Sequence, residues 1–135
     1  MIRLTAPTAA TFPFHELKTF VGWRFQTLDQ GNAFYLTRVE EWGVYYERPT
    51  GTGGFTPSQA FHVAWRRMRS GAELELHDLE TIVRALKPDR RAMHESCLAP
   101  LLGAVEPVRY LNRPVRIFFA ELSPEPGMTY RPSRG

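Results

Sequence analysis

The sequence predicts an α+β protein: an N-terminal three-stranded antiparallel meander packed with a unit of three helices and a β-hairpin. Three observations carry this expectation. Residues 23–48 are aromatic and β-branched, in short runs broken by turn residues. Residues 56–102 instead place apolar side chains at helical spacing. The second and third of those helices are separated only by Lys87-Pro88-Asp89, and two short apolar runs follow them.

Each element has a local cause. Residues 1–13 read as an irregular arm, interrupted by Pro7 and Pro13. Residues 14–21 carry Phe14, Leu17, Phe20 and Val21 near helical spacing and end at Gly22. Residues 23–28, 33–39 and 44–48 then alternate as strands, with turns at Asp29-Gln30-Gly31-Asn32 and Glu40-Glu41-Trp42-Gly43. The loop Thr50-Gly51-Thr52-Gly53-Gly54 precedes Phe55-Thr56, which could add a short strand. Pro57 starts a helix, because proline at the first helical position sacrifices no hydrogen bond. Its apolar stripe is Ala60, Phe61, Ala64, Trp65 and Met68, with Arg66, Arg67 and Arg69 outside it.

Leu74-Glu75-Leu76 is a brief extended stretch suited to pairing with the later hairpin. Asp78 is expected to cap the next helix, whose apolar face is Leu79, Ile82, Val83 and Leu86. Pro88 stops it and Asp89 caps the third helix, with Met93, Cys97, Leu98, Leu101 and Leu102 facing inward. Pro100 removes the bond to the Ser96 carbonyl, so it should bend or end that helix. Residues 108–111 and 115–121 pair across Asn112-Arg113-Pro114, with Val115, Ile117 and Phe119 alternating with Arg116 and Phe118. The Pro-, Gly- and Ser-rich tail from Ser123 is expected to be flexible or loosely packed. The resulting division is 1–54, 55–122 and 123–135.

Composition bounds the function. The 135 residues suit one domain, or one domain with an appended subdomain, and 43% apolar content supplies a core. No apolar run reaches the roughly 18 residues of a membrane span, and the N-terminus has no apolar signal core, so a cytoplasmic, bacterial-type protein without a membrane role is expected. One cysteine, Cys97, excludes an internal disulfide and a multi-cysteine zinc site. The net charge of +3 is unevenly spread: Glu73, Glu75, Asp78 and Glu80 lead into a base-rich stretch holding Arg84, Lys87, Arg90, Arg91, Arg109, Arg113 and Arg116. Such polarisation suits a polyanionic partner. Fifteen of the 17 bases are arginine, which suits phosphate and guanine, although a GC-rich genome gives the same bias.

Residues 56–122, by element order, resemble winged helix-turn-helix proteins. The resemblance is architectural and names no single family. It implies that the helix starting at Arg90 enters the major groove, so that Arg90, Arg91, His94 and Glu95 are the first exposed contacts. Arg113 at the wing tip and Arg116 on the wing's outer face would touch the adjacent backbone, while Arg66, Arg67 and Lys87 would hold phosphates. The partner implied is double-stranded rather than single-stranded DNA. The role would be a non-catalytic regulator, or an accessory factor in DNA repair, restriction or phage biology. The alternative is a protein-interaction module, an adaptor or inhibitor, using the aromatic sheet or the winged helix. A homodimer is also open, through the helix at 14–21 or an uncovered meander edge.

A second idea concerns the meander itself. Trp23, Phe25, Phe34, Tyr35, Trp42, Tyr45 and Tyr46, interleaved with Arg24, Arg38 and Arg48, could stack single-stranded bases, although one sheet face must pack the core. Tyr45 and Tyr46 are neighbours and must point to opposite faces, so one of them is exposed. Catalytic and cofactor readings find less support. His15, His62, His77 and His94 are scattered without zinc-ligand spacing, and His94 with Cys97 reads as a buried thiol on a helix rather than a nucleophile. The Gly-rich loop lacks the lysine of a phosphate-binding loop, and the acidic clusters read as turn and solvated surface.

Overall fold

The computed structural model describes residues 10–86 and 95–134. Within them the chain is α+β, with four α-helices, a four-stranded antiparallel sheet and a second sheet of three strands. The elements run α1 (Phe14–Lys18), β1 (Arg24–Gln26), β2 (Ala33–Glu40), β3 (Gly43–Glu47), β4 (Gly53–Pro57), α2 (Ser58–Arg69), β5 (Leu74–Glu75), α3 (Leu76–Leu86), α4 (Glu95–Gly103), β6 (Val108–Leu111) and β7 (Arg116–Phe119). Strand order is β1-β2-β3-β4 in the first sheet and β5-β7-β6 in the second.

The meander is therefore four strands rather than three. Residues 53–57 pair with β3 in full register, from Glu47↔Gly53 to Gly43↔Pro57. A glycine-rich segment with low strand propensity is recruited because β3 offers it a complete ladder. The expected boundary at residues 54 and 55 falls inside β4. One buried cluster, from Phe25 and Leu36 through Trp65 and Leu98 to Ile117, runs through both halves of the chain.

The helices follow their apolar stripes. α2 buries Ala60, Phe61, Ala64, Trp65 and Met68, the five residues its spacing singled out. Pro57 sits just before the helix rather than in its first turn, and the Ser58 N–H is satisfied by the Trp42 carbonyl at 3.0 Å. α3 begins two residues before Asp78. That carboxylate reaches back to accept from the Glu75 N–H at 2.8 Å, closing the reciprocal arm of a capping box rather than serving as the cap. α1 is shorter than its pattern suggested, ending at Lys18.

α4 departs most from expectation. It continues through Pro100 to Gly103, and Cys97, Leu98, Ala99, Pro100, Leu101, Leu102 and Gly103 are all buried. A lone amphipathic face would leave Ala99, Pro100 and Gly103 in water. Here the other side is covered: α4 packs on α3, β1 and β6, and Tyr130 lies against Gly103, where a Cβ would meet the tyrosine Cβ at 3.4 Å. A helix apolar all round is a buried helix.

The tail is not loose. Tyr110 and Met128 exchange backbone hydrogen bonds of 2.9 and 2.7 Å, and Arg24 and Ser133 exchange bonds of 2.7 and 2.9 Å. The segment after β7 thus runs from the edge of the second sheet to the edge of the first. Gly127 permits the crossing: its φ is +60°, and a Cβ there would lie 2.7 Å from Arg109 Cβ and 2.8 Å from the Phe118 ring. Pro- and Gly-rich composition reflects tight routing here rather than disorder.

Candidate nucleic-acid interface

Eight residues were singled out as nucleic-acid contacts, and the structure separates them into three groups. Lys87, Arg90, Arg91 and His94 lie outside the described residues. Arg66, Arg67 and Arg113 are exposed. Arg116 is drawn inward.

Arg66 and Arg67, with Arg69, occupy the last turns of α2, where basic side chains also complement the partial negative charge of a helix C-terminus. None of the three makes an ion pair with a described residue. Arg66 adds to the effect of burial in holding His62 below the usual histidine range; burial is the larger cause. His62 meets the Phe14 ring edge-on at 5.4 Å and its Nδ1 is buried without a hydrogen-bond partner, so the neutral ring is the form that suits the site.

Arg113 sits at the tip of the β6–β7 hairpin with φ +63°, a left-handed conformation uncommon for a side-chain-bearing residue. The Asn112 carboxamide beside it donates to the Leu28 carbonyl at 2.6 Å. The hairpin tip is thereby moored to the β1–β2 turn rather than projecting alone. A cleft of about 350 Å³ beside Arg113 also carries Asp29, Glu75 and His77, so its surroundings are of mixed charge. No hydrogen bond or ion pair among the described residues links Arg113 to Arg66 or Arg67.

Arg116 was expected to face a phosphate from the outer side of the wing. Instead its Nη1 lies 3.1 Å from Glu73 and 3.4 Å from Glu125, and its Nη2 lies 3.4 Å from Glu125. Ser123 Oγ donates to the other Glu73 oxygen at 2.9 Å. The guanidinium is only 28% exposed and holds the loop before β5, strand β7 and the tail together. It is a structural cation. Alternation along the strand placed it off the core but could not reveal that the tail returns to cover it.

The buried turns of α4 also bear on the interface. From Cys97 to Gly103 the helix presents no side chain to solvent. Among the described residues no three His, Cys, Asp or Glu side chains gather as a metal site, and no helix is long and apolar enough to cross a membrane. Cys97 is buried.

The first sheet adds side chains that sequence reasoning underweighted. Tyr46 is the inward member of its pair, its hydroxyl 3.0 Å from Thr56 Oγ1, and Tyr45 is the outward one. Tyr45 packs against Phe55 with ring centroids 4.8 Å apart and lies under the Arg38 guanidinium at 4.3 Å. Its hydroxyl accepts from the Trp42 indole N–H at 2.8 Å. Phe55 was missed because its strand was barely signalled; the cue available was the Gly43 across from that strand. A Cβ on Gly43 would fall 2.3 Å from the Phe55 ring, so the bare glycine is what lets the ring approach the sheet this closely.

No family model matches the sequence, and neither a curated protein nor a solved structure is significantly similar to it.

Proposed function

We propose that this chain is a non-catalytic, winged-helix nucleic-acid-binding protein that contacts duplex DNA, as a regulator or as an accessory factor in DNA transactions. The observation that carries the proposal is the path of the chain from α2 onward. Helix, short strand, two helices and a hairpin follow in order, with β5 pairing the hairpin's second strand so that β7 is central in the order β5-β7-β6. That arrangement supports a winged helix-turn-helix. Phosphate contacts fall to Arg66, Arg67 and Arg113, with Arg69 beside them, because these arginines are exposed and carry no acidic partner among the described residues. Base contacts fall to Arg90, Arg91 and His94, with Lys87 at the approach, since the later turns of α4 are enclosed. Arg116 has no part in it.

The test is a titration of a fluorescent 20-base-pair duplex at several salt concentrations. Affinity should fall linearly on log–log axes with a slope near −0.9 per phosphate contacted. Absence of duplex binding at about 50 mM salt, where electrostatic contacts are strong, would overturn the proposal.

A further inference from the structure

We infer that the open face of the first sheet binds a single-stranded nucleobase bearing an exocyclic amine, in the depression between Tyr45, Phe55 and Glu47. The inference deepens the nucleic-acid reading and rests on it, but it assigns a second surface and a different strand state.

The register of the sheet builds the site. Side chains alternate between faces, so cross-strand partners stand side by side on one face. The inner face carries Phe25, Phe34, Leu36, Val44 and Tyr46, all buried. The outer face carries two rows: Arg24, Tyr35 and Glu47 in one, Arg38, Tyr45 and Phe55 in the other. Aromatic rings and arginines therefore alternate on a surface that the core does not require.

That surface is fixed in advance. Phe55 packs against the bare Gly43, Arg38 caps Tyr45 while held by Glu40 at 3.3 Å, and the indole N–H of Trp42 is tied to the Tyr45 hydroxyl. Trp42 nonetheless remains 56% exposed, the most exposed of the large apolar side chains among the described residues. Rings held rigidly at a surface lose little conformational freedom when something packs on them.

Beside these rings is a depression of about 490 Å³, lined by Thr37, Tyr45, Glu47, Gly53, Gly54 and Phe55. Its volume lies in the range of small-molecule sites, roughly 300–1,000 Å³. Gly53 and Gly54 leave backbone as the lining on one side, on which a planar ring can rest. Tyr45 and Phe55 line it with aromatic side chains, the type that single-strand-binding surfaces use. Glu47 is exposed and forms no ion pair with a described residue, so its carboxylate is an acceptor waiting for a donor. A carboxylate accepts from the amine of cytosine and finds only a carbonyl on the matching edge of thymine. Arg38 stands beside Tyr45 in the row that includes Phe55, where a linking phosphate of the strand would run. Because Glu40, Glu41 and Glu47 offset this cation locally, stacking rather than charge dominates the binding.

The experiment compares the full chain binding to fluorescent dC12, dT12 and duplex DNA by anisotropy. The expected result is tighter binding of dC12 than of dT12, with a salt dependence shallower than for the duplex. Phe55→Val should weaken both single strands by roughly ten-fold or more, the loss expected when a stacking ring is removed. Glu47→Thr, at an exposed strand position, should leave the melting temperature unchanged and abolish the preference for dC12. Equal affinity of the native chain for dC12 and dT12, or a preference that survives Glu47→Thr, would overturn the assignment. So would single-strand binding untouched by both variants, which would leave the aromatic face as a protein-docking surface. Duplex affinity reports separately: its loss in Arg66→Ala/Arg67→Ala with dC12 binding intact would concern only the duplex surface.

Discussion

The Tyr130 ring stacks on Phe25 with centroids 5.9 Å apart and planes inclined by 21°, while its hydroxyl accepts from the Gln26 N–H at 2.7 Å. Tyr130, 104 residues along the chain from Gln26, thus packs against the core beside the first strand. Tyr130→Ala should destabilise the fold by about 3 kcal/mol, at the low end for a large aromatic because the ring is not fully enclosed. Urea unfolding would measure it; a change within error would mean that the tail does not hold the sheets together.

The same tyrosine predicts a pH dependence. Burial pushes its hydroxyl up from 10.0 to about 12. Above pH 10 the unfolded chain loses this proton while the folded chain keeps it, so the unfolded state binds fewer protons and stability falls as pH rises. The decline should span about pH 10 to 12. Tyr130→Phe should remove that component, which unfolding curves collected across the interval would register.

Arg116 and the exposed arginines should behave oppositely. Arg116→Ala breaks a partly buried cluster with Glu73 and Glu125 and should cost roughly 1–3 kcal/mol, between the values for exposed and buried pairs. Its folded fraction should bind duplex DNA like the native chain. Arg66→Ala, Arg67→Ala and Arg113→Ala should leave the melting temperature within a degree or so, as exposed substitutions do. Each should reduce the log–log salt slope of duplex binding by about 0.9 if it removes one phosphate contact. The reverse pattern would exchange their roles.

Gly43→Ala tests the close approach across β3 and β4. The new Cβ would fall 2.3 Å from the Phe55 ring and 2.7 Å from the Thr56 carbonyl oxygen. The ring can swing away, but the carbonyl belongs to the ladder. A loss of about 1–3 kcal/mol is expected, as for other overpacked positions. Calorimetry on the purified variant decides it, and a neutral result would show that the two strands can separate at no penalty.

Cys97 reports on the enclosure of α4. The thiol is 1% exposed on a helix covered by β1, β6 and α3. Labelling by a thiol reagent should follow the urea-unfolding transition. Fast stoichiometric labelling of the folded protein would show that α4 opens locally, and would make its later turns accessible to a partner.

Local chemistry made much of the fold legible. The α2 stripe at Ala60, Phe61, Ala64, Trp65 and Met68 and the alternation along β2 and β3 are written in spacing, because each of these elements buries one face and that face leaves a period of 3.6 or 2. Strand β7 departs from the expected alternation: Phe118 is buried along with Ile117 and Phe119, because the returning tail lies against its ring at Gly127. The same periods cannot say what lies against the opposite face. Ala99, Pro100 and Gly103 are buried on a helix that packs on β1 and β6 as well as α3, with Tyr130 against Gly103, and β1 and Tyr130 are distant from it in the chain.

By itself, then, the sequence determined the α+β class, the order of the elements from α2 onward and the arginine-rich character of the surface. Tertiary structure decided which of those arginines remain available. Arg116 is claimed by Glu73 and Glu125 because strand pairing and the returning tail bring three distant segments together. It also decided that Tyr45 rather than Tyr46 faces outward, and that Phe55 lies beside it over Gly43. The reason is physical. Propensity and period act within a few residues, whereas the charge partner of an arginine and the open face of a sheet are set by contacts that close only when the chain has folded.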